Sequence, residues 1–249
     1  QTIIQAQIKR FGKGVYKDGS FVSPPKTTYD NVLSFVKLTE TTGATTSDDV
    51  ISGLVGSSIS NADGVRAVII NHKTSTTAGD PPTLYVKYED GGSNKSLTFS
   101  DGDTLTSGTT TLTAAASDST GNGTAFSVGQ CTIFARGNFL FVPQQTHIVE
   151  KYGSITNKLI GFSVTESVID SDDDTSLLDP ASGTFNFFAP GADRYRANLT
   201  LTSRDLNFTD TSDTNFIEVV RVENGEVIKK EIDPKFSVLG DTLARRTFE

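Results

Sequence analysis

Tryptophan and methionine are absent from the 249 residues, cysteine occurs once and histidine twice. Each shortage removes a class of function. A single thiol, Cys131, forms no intramolecular disulfide, and His72 and His147 alone cannot build a multi-histidine metal centre. Without tryptophan, a sugar-processing cleft has only Phe and Tyr on which to stack rings. No stretch reaches the roughly 18 apolar residues that span a bilayer, and Gln1 to Arg10 lacks the apolar centre of a signal peptide, so membrane insertion is not expected. Cations are outnumbered, 22 Lys and Arg against 30 Asp and Glu for a formal charge of -8, and the pairs Lys9-Arg10, Lys229-Lys230 and Arg245-Arg246 are scattered. Neutralising phosphates needs clustered cations, so nucleic acid is not an expected partner. The opening on Gln1, with no methionine anywhere, is read as a removed start residue or a segment of something longer.

What is present is β structure. Hydrophobic residues make up 35% and 22 glycines accompany them, which suffices for a core and excludes wholesale disorder. Apolar residues alternate or run in short blocks at Val65–Ile70, Leu84–Tyr88 and Leu159–Val164, each a strand pattern. Between the blocks lie Asp18-Gly19, Glu89 to Gly92, Asp101-Gly102, Arg136-Gly137-Asn138 and Glu223 to Glu226, residues that accept the positive φ of tight hairpins. The clearest unit is the hairpin from Phe216 to Lys230 around Asn224-Gly225. The fold class expected is mainly β, an antiparallel sandwich or barrel-like arrangement with an extended N-terminal arm and at most short helices. One helix is conceivable from Asp30 through Val32, Leu33, Phe35 and Val36, residues that also read as a strand, and another from Ser237 through Ala244.

Composition divides the chain into three zones. Residues 1–39 read as an arm, with glycines, Pro24-Pro25 and basic side chains. Residues 40–130 are rich in Thr, Ser and Gly, and their stretch from Thr104 through Ala125 is close to low complexity, which predicts an exposed, variable loop region. Residues 131–249 hold the denser Phe, Val, Leu and Tyr and most of the expected core.

Few constellations carry chemistry. In the run Asp170-Ser171-Asp172-Asp173-Asp174, alternate carboxylates make Asp170, Asp172 and Asp174 candidate ligands for a hard cation such as Ca²⁺. The EF-hand pattern fails, however, because its glycine position holds Thr175 and its glutamate position Ala181, and a solvated acidic loop is the simpler reading. No nucleophile elbow accompanies His147, His72 reads as a residue at a loop edge, and Cys131 precedes an apolar strand as a small buried hydrophobe would. Asp172, Asp173 and Glu166 are the locally concentrated acids available to a polysaccharide depolymerase. The glycines of Arg10 to Gly14 lack P-loop spacing, and the sequons at Asn94, Asn122, Asn198 and Asn207 are of a kind that Thr-rich chains produce by chance. No catalytic residue, metal or cofactor is assigned.

The distinctive segment is Thr175-Ser176-Leu177-Leu178-Asp179-Pro180-Ala181-Ser182-Gly183, with Ala189-Pro190-Gly191-Ala192-Asp193-Arg194 soon after. Together with Asp80 to Tyr88, Asn215 to Gly225 and Leu243 to Glu249, it resembles a domain of unknown function found in virion structural proteins of tailed phages, cyanophages among them, in tail-fibre or baseplate-associated chains. The resemblance runs from about Asp48 onward and is weakest near Thr104 to Thr124. It implies a non-enzymatic virion component that links the tail to receptor-binding parts, is assembled in the host cytoplasm and continues past Glu249, with other tail or baseplate proteins and copies of itself, as a trimer, for partners. Three aromatic rings between turns, Phe185, Phe187 and Phe188, need burial somewhere, and with Leu177, Leu178, Asp193 and Arg194 they are the candidate interface. The alternative is an adhesin module that binds host polysaccharide through Tyr, Phe and Asp of the Thr/Gly-rich zone.

Overall fold

The computed structural model describes residues 16, 18–23, 25–39, 48–74, 80–93, 96–155, 157–206, 215–230 and 237–248. Runs of β-branched and aromatic residues broken by turn formers give fifteen strands among them. These are β1 (Ser20–Ser23), β2 (Thr27–Lys37), β3 (Ser58–Ser60), β4 (Arg66–Lys73), β5 (Thr83–Asp90), β6 (Thr104–Ser107), β7 (Thr110–Thr113) and β8 (Thr120–Val128). They continue as β9 (Cys131–Ala135), β10 (Asn138–Val142), β11 (Gln145–Glu150), β12 (Lys158–Ile169), β13 (Arg194–Asp205), β14 (Phe216–Glu223) and β15 (Glu226–Lys230). Two short helices, α1 (Asp48–Gly53) and α2 (Ser237–Phe248), complete the set.

All strand pairs are antiparallel and fall into three sheets, ordered β1-β9-β10, β11-β8-β2-β5-β4-β3-β6-β7 and β13-β12-β14-β15. The mainly β, antiparallel expectation holds, in its open form: the long sheet ends on β7 and β11, and no sheet closes into a barrel. The strongest hairpin is as read, since Asn224 and Gly225 at φ +52° and +83° supply the primed turn between β14 and β15.

Several expectations are corrected. Residues from Asp30 to Val36 lie in β2 and form no helix, because Val36 and Phe35 are claimed by two different cores on opposite faces of one strand. The composition zones are not packing units: the eight-stranded sheet takes β2 from the first, β3 to β8 from the second and β11 from the third. Of the expected arm, residues 1–15 lie outside the described ones, whereas 20–23 and 27–37 are paired strands. The stretch from Thr104 through Ala125 is no loop; it forms β6, β7 and most of β8, which sits between β11 and β2. Its small residues make room for large neighbours. A Cβ on Gly121 would stand 2.7 Å from Phe35 Cζ, and one on Gly123 would stand 2.8 Å from the Lys151 carbonyl oxygen and 3.0 Å from Tyr85 Cε1. Low complexity here records crowding from both sides. α1, which periodicity does not reveal, drops the fully buried Ile51 into the second core.

One core lies between the three-stranded and four-stranded sheets and the β8-β11 end of the long sheet, and is built on Phe21, Phe126, Ile133, Ile160, Phe162 and Val220. A second, under α1 and the β4-β5-β6-β7 end, gathers Val36, Leu84, Phe99 and Leu105. A third, smaller one joins Phe35, Tyr85 and Ile148. Beside it Lys151 Nζ is held by both Asp80 carboxylate oxygens at 2.8 Å and the Pro81 carbonyl at 2.9 Å, while the Tyr152 hydroxyl donates to Asp80 at 3.0 Å. With both charges mostly covered and paired, this cluster ties β5 to the end of β11.

The long sheet meets the four-stranded one at β11 and β13. Gln145 imitates a strand residue there: its Nε2 donates to the Leu199 carbonyl at 2.8 Å, and its Oε1 accepts the Leu201 N–H at 2.8 Å. Gln145→Ala strands both backbone groups on the outer edge of β13. It should lower unfolding stability by about 1–3 kcal/mol in urea titrations.

Two residues on, His147 Nε2 is 3.1 Å from Ser203 Oγ across the same seam. Burial, aided by the charge of Lys73, lowers its pKa to about 4 from the ordinary 6.5. The unfolded chain therefore binds a proton near pH 6.5 that the folded chain refuses until about pH 4, so stability is full above 6.5 and is lost as pH falls between these values. His147→Gln should remove roughly 1–2 kcal/mol of that acid-side loss, read as a flatter plot of unfolding free energy between pH 7 and 4.

Candidate functional site

β12 and β13 pair residue for residue along their whole length, from Lys158 opposite Asp205 to Ile169 opposite Arg194. β14 covers β12 only as far as Ser163, with a last hydrogen bond from the Val164 N–H to the Asn215 carbonyl at 2.7 Å. Beyond that point, among the described residues, the two strands run on alone as a ribbon. Alternation carries the core face outward, because Val164 and Leu199 are buried and the next positions on their face, Glu166 and Val168 with Ala197 and Tyr195, lie past the core's edge. Val168 is 63% exposed and Tyr195 54%.

Charge holds the ribbon's base. Arg136, at φ +54° in the turn between β9 and β10, places Nε 3.3 Å from Glu166 Oε2, and the Tyr195 hydroxyl donates to Glu166 Oε1. Burial and the neighbouring carboxylate push the Tyr195 pKa up to about 12, so the hydroxyl stays a donor. The same Arg136 reaches Asn215 Oδ1 with Nη2, and its backbone N–H meets Asp18 Oδ1 at 2.7 Å. Sequence reading marks Arg136-Gly137 only as a turn; nothing in the spacing pairs it with Glu166, 30 residues away.

At the far end residues 170–193 fold into a compact tip. Asp170 Oδ1 accepts the N–H of Asp172 at 2.9 Å and of Asp173 at 3.3 Å, and Asp174 Oδ1 caps a single 3-10 turn, Thr175–Leu177, through the Ser176 N–H at 2.9 Å. Those hydrogen bonds from Ser176 hold the Asp174 carboxyl below its usual range. Two of the three candidate cation ligands thus serve as turn and cap, and among the described residues no group of three or more His, Cys, Asp or Glu gathers around one point. Leu178 bridges Pro190, the Asp179 N–H meets the Ala189 carbonyl at 3.0 Å, and the Phe188 N–H returns to the Asp179 carbonyl at 3.2 Å. Leu177 is buried by this closure and Leu178 half-buried, whereas Asp193 and Arg194 are both exposed. Backbone pairing closes the loop, and among the described residues no ion pair joins Asp193 to Arg194. An open cleft of about 1160 Å³ runs between Leu177, Asp179, Pro190, Asp193 and Tyr195.

The three phenylalanines stand out from this frame. Phe185 is fully exposed, Phe188 62% and Phe187 45%, with the last two rings edge-to-face at 4.3 Å. Phe188 holds φ +62°, a left-handed conformation that costs a bulky residue on the order of 1 kcal/mol. The tip therefore combines exposed apolar area with backbone strain.

The other candidates lie elsewhere and in different settings. Cys131 is buried in the first core, and burial pushes its pKa up to about 11, which leaves an inert thiol. His72 lies within β4, opposite Leu84, and not in a loop. Asn122 and Asn198 are exposed strand residues, and Asn94 and Asn207 fall outside the described ones.

A family model described as "Domain of unknown function (DUF4815)" matches residues 87–249, from within β5 to the end of the chain. The chain belongs to this family. The DUF4815 segment holds all of the ribbon and tip, the whole of the four-stranded sheet and Arg136 at the ribbon's base. No curated protein and no solved structure matches the chain.

Proposed function

We propose that the chain is a non-enzymatic structural component of a tailed-phage virion, a tail-fibre or baseplate-associated protein that links the tail to receptor-binding parts. The observation that carries this reading is the β12–β13 ribbon, a two-stranded extension whose tip exposes three aromatic rings. Exposed aromatics on a backbone-closed loop are what a protein–protein contact uses as anchors, because they bury large area with little side-chain entropy to lose. The tail assignment and the trimer rest on the resemblance carried by Thr175–Gly183 and Ala189–Arg194. Copies of the chain and other tail proteins are the partners on this reading.

The adhesin alternative draws no support from the Thr/Gly-rich zone. Tyr85, Phe99 and Phe126 are buried and Tyr88 packs on the second core, so the aromatic rings described there are not offered to a ligand. The test has two arms. Light scattering of the purified chain should give an oligomer that survives calcium chelation, and mass spectrometry of banded particles should find its peptides. A monomer at all concentrations together with particles free of the chain overturns the reading.

A further inference from the structure

Three Asp-Pro peptide bonds occur in the chain, at Asp80-Pro81, Asp179-Pro180 and Asp233-Pro234. The last lies outside the described residues, and the fold treats the other two in opposite ways. An aspartate before proline carries a nucleophile that reaches its own carbonyl carbon through a five-membered ring, and the tertiary amide nitrogen of proline leaves readily once it takes a proton. Whether that chemistry runs depends on where the carboxylate and the carbonyl are held.

At Asp80 the carboxylate is committed elsewhere. Both of its oxygens accept from Lys151 Nζ at 2.8 Å, and Oδ1 also accepts from the Tyr152 hydroxyl at 3.0 Å. At Asp179, in the tip, the carboxylate turns toward the proline instead: Oδ1 accepts the Ala181 N–H at 2.9 Å, a turn that folds the side chain over the Asp179-Pro180 peptide. The Asp179 carbonyl accepts the Phe188 N–H at 3.2 Å, a donor placed where negative charge develops in a tetrahedral intermediate. Phe188 makes that bond from its left-handed φ of +62°, and the Asp179 N–H is pinned to the Ala189 carbonyl at 3.0 Å, so the residue is clamped at both ends in a strained frame. Asp179 and Pro180 both line the open cleft of the tip, which admits water.

We infer that Asp179-Pro180 is a self-cleavage site. A side-chain oxygen of Asp179 bonds to the Asp179 carbonyl carbon, whose oxygen takes up the charge beside the Phe188 N–H. The C–N bond to Pro180 then breaks, and its electron pair stays on the proline nitrogen, which takes a proton from solvent and becomes a new amino terminus. The cyclic anhydride left on Asp179 takes up one water and opens to two carboxyl groups, so the net reaction is hydrolysis of one peptide bond. The two pieces stay together through the pairing of β12 with β13, while residues 180–188, with Phe185, Phe187 and Phe188, change from a closed loop into an arm with a free end. Cleavage needs no second copy and no partner protein, so it stands or falls apart from the assembly reading.

Intact-mass spectrometry of the full chain, incubated in mildly acidic buffer that keeps the fold, tests it. Fragments 1–179 and 180–249 should appear about tenfold faster than those from Asp80-Pro81, and the difference should vanish in urea, where neither aspartate is held. Asp179→Glu, which lengthens the ring that must close, should slow the cut about tenfold. A folded chain whose mass does not change overturns the inference. Equal cutting at the two bonds in the folded chain also overturns it, because it reduces Asp179-Pro180 to the ordinary acid lability of its dipeptide. An Asp179→Glu protein cut as fast as wild type does the same, since the nucleophile would then lie elsewhere.

Discussion

If the chain assembles through its tip as proposed, Phe187→Ala with Phe188→Ala should dissociate the oligomer while leaving the monomer as stable as before. Neither ring belongs to a core: Phe187 is 45% and Phe188 62% exposed, and their chief aromatic contact is with each other at 4.3 Å. Truncating exposed side chains changes unfolding free energy by less than about 1 kcal/mol. Interface aromatics behave differently, since each anchor costs on the order of 2 kcal/mol or more when cut back to alanine. Two such losses, about 4 kcal/mol, raise a dissociation constant by roughly a thousandfold. Sedimentation velocity over a dilution series reads the assembly, and urea unfolding of the same samples reads the fold. Equal sedimentation of wild type and variant would place the tip outside any contact and remove the principal support for a structural role in the virion.

The tip also shows what a sequence can and cannot disclose. Three phenylalanines between Asp179-Pro180 and Ala189-Pro190-Gly191 are legible as rings held among turns, and alternation makes β4, β5, β12 and the hairpin of β14 and β15 legible as strands. The length of the ribbon is not. Whether Thr165 to Ile169 pairs with one neighbour or two depends on the register of β14, some fifty residues away, which among the described residues reaches β12 only at Ser163 and Val164. The knot of Arg136, Glu166 and Tyr195 is hidden for the same reason, being drawn from a turn and two strands that only the fold brings together. β8 misleads in the opposite direction. Local composition reports Gly121 and Gly123 as loop formers, because the rings of Phe35 and Tyr85 that require them come from other strands. A fold this dominated by non-local pairing places much of its information outside any short window.

Two glycines with almost the same local crowding should respond in opposite ways to one added methyl group. A Cβ on Gly161 would stand 2.1 Å from the Ile217 carbonyl oxygen and 2.8 Å from Phe216 Cζ, at the register slip where β12 meets β14. Relief requires the central pair of the four-stranded sheet to part next to Ile160 and Phe162, both fully buried in the first core. Gly161→Ala should therefore destabilise the whole protein by about 3 kcal/mol or more, in the range of overpacked cores, and should shift the urea midpoint of the cooperative transition. A Cβ on Gly191 would be as badly placed, 2.0 Å from the Leu177 carbonyl oxygen, but that carbonyl belongs to the tip, beyond the last contact with β14. Strain there can be released by reopening the turn that bridges Leu178 to Pro190, with no core to disrupt. Gly191→Ala should leave the global transition within about 1 kcal/mol of wild type. If the tip is the assembly contact, the same variant should nonetheless sediment like the double phenylalanine mutant, because the rings lose the frame that presents them. A Gly191→Ala protein that unfolds as early as Gly161→Ala would mean that the ribbon is part of the cooperative core, and the picture of a tip folded apart from the body would fail.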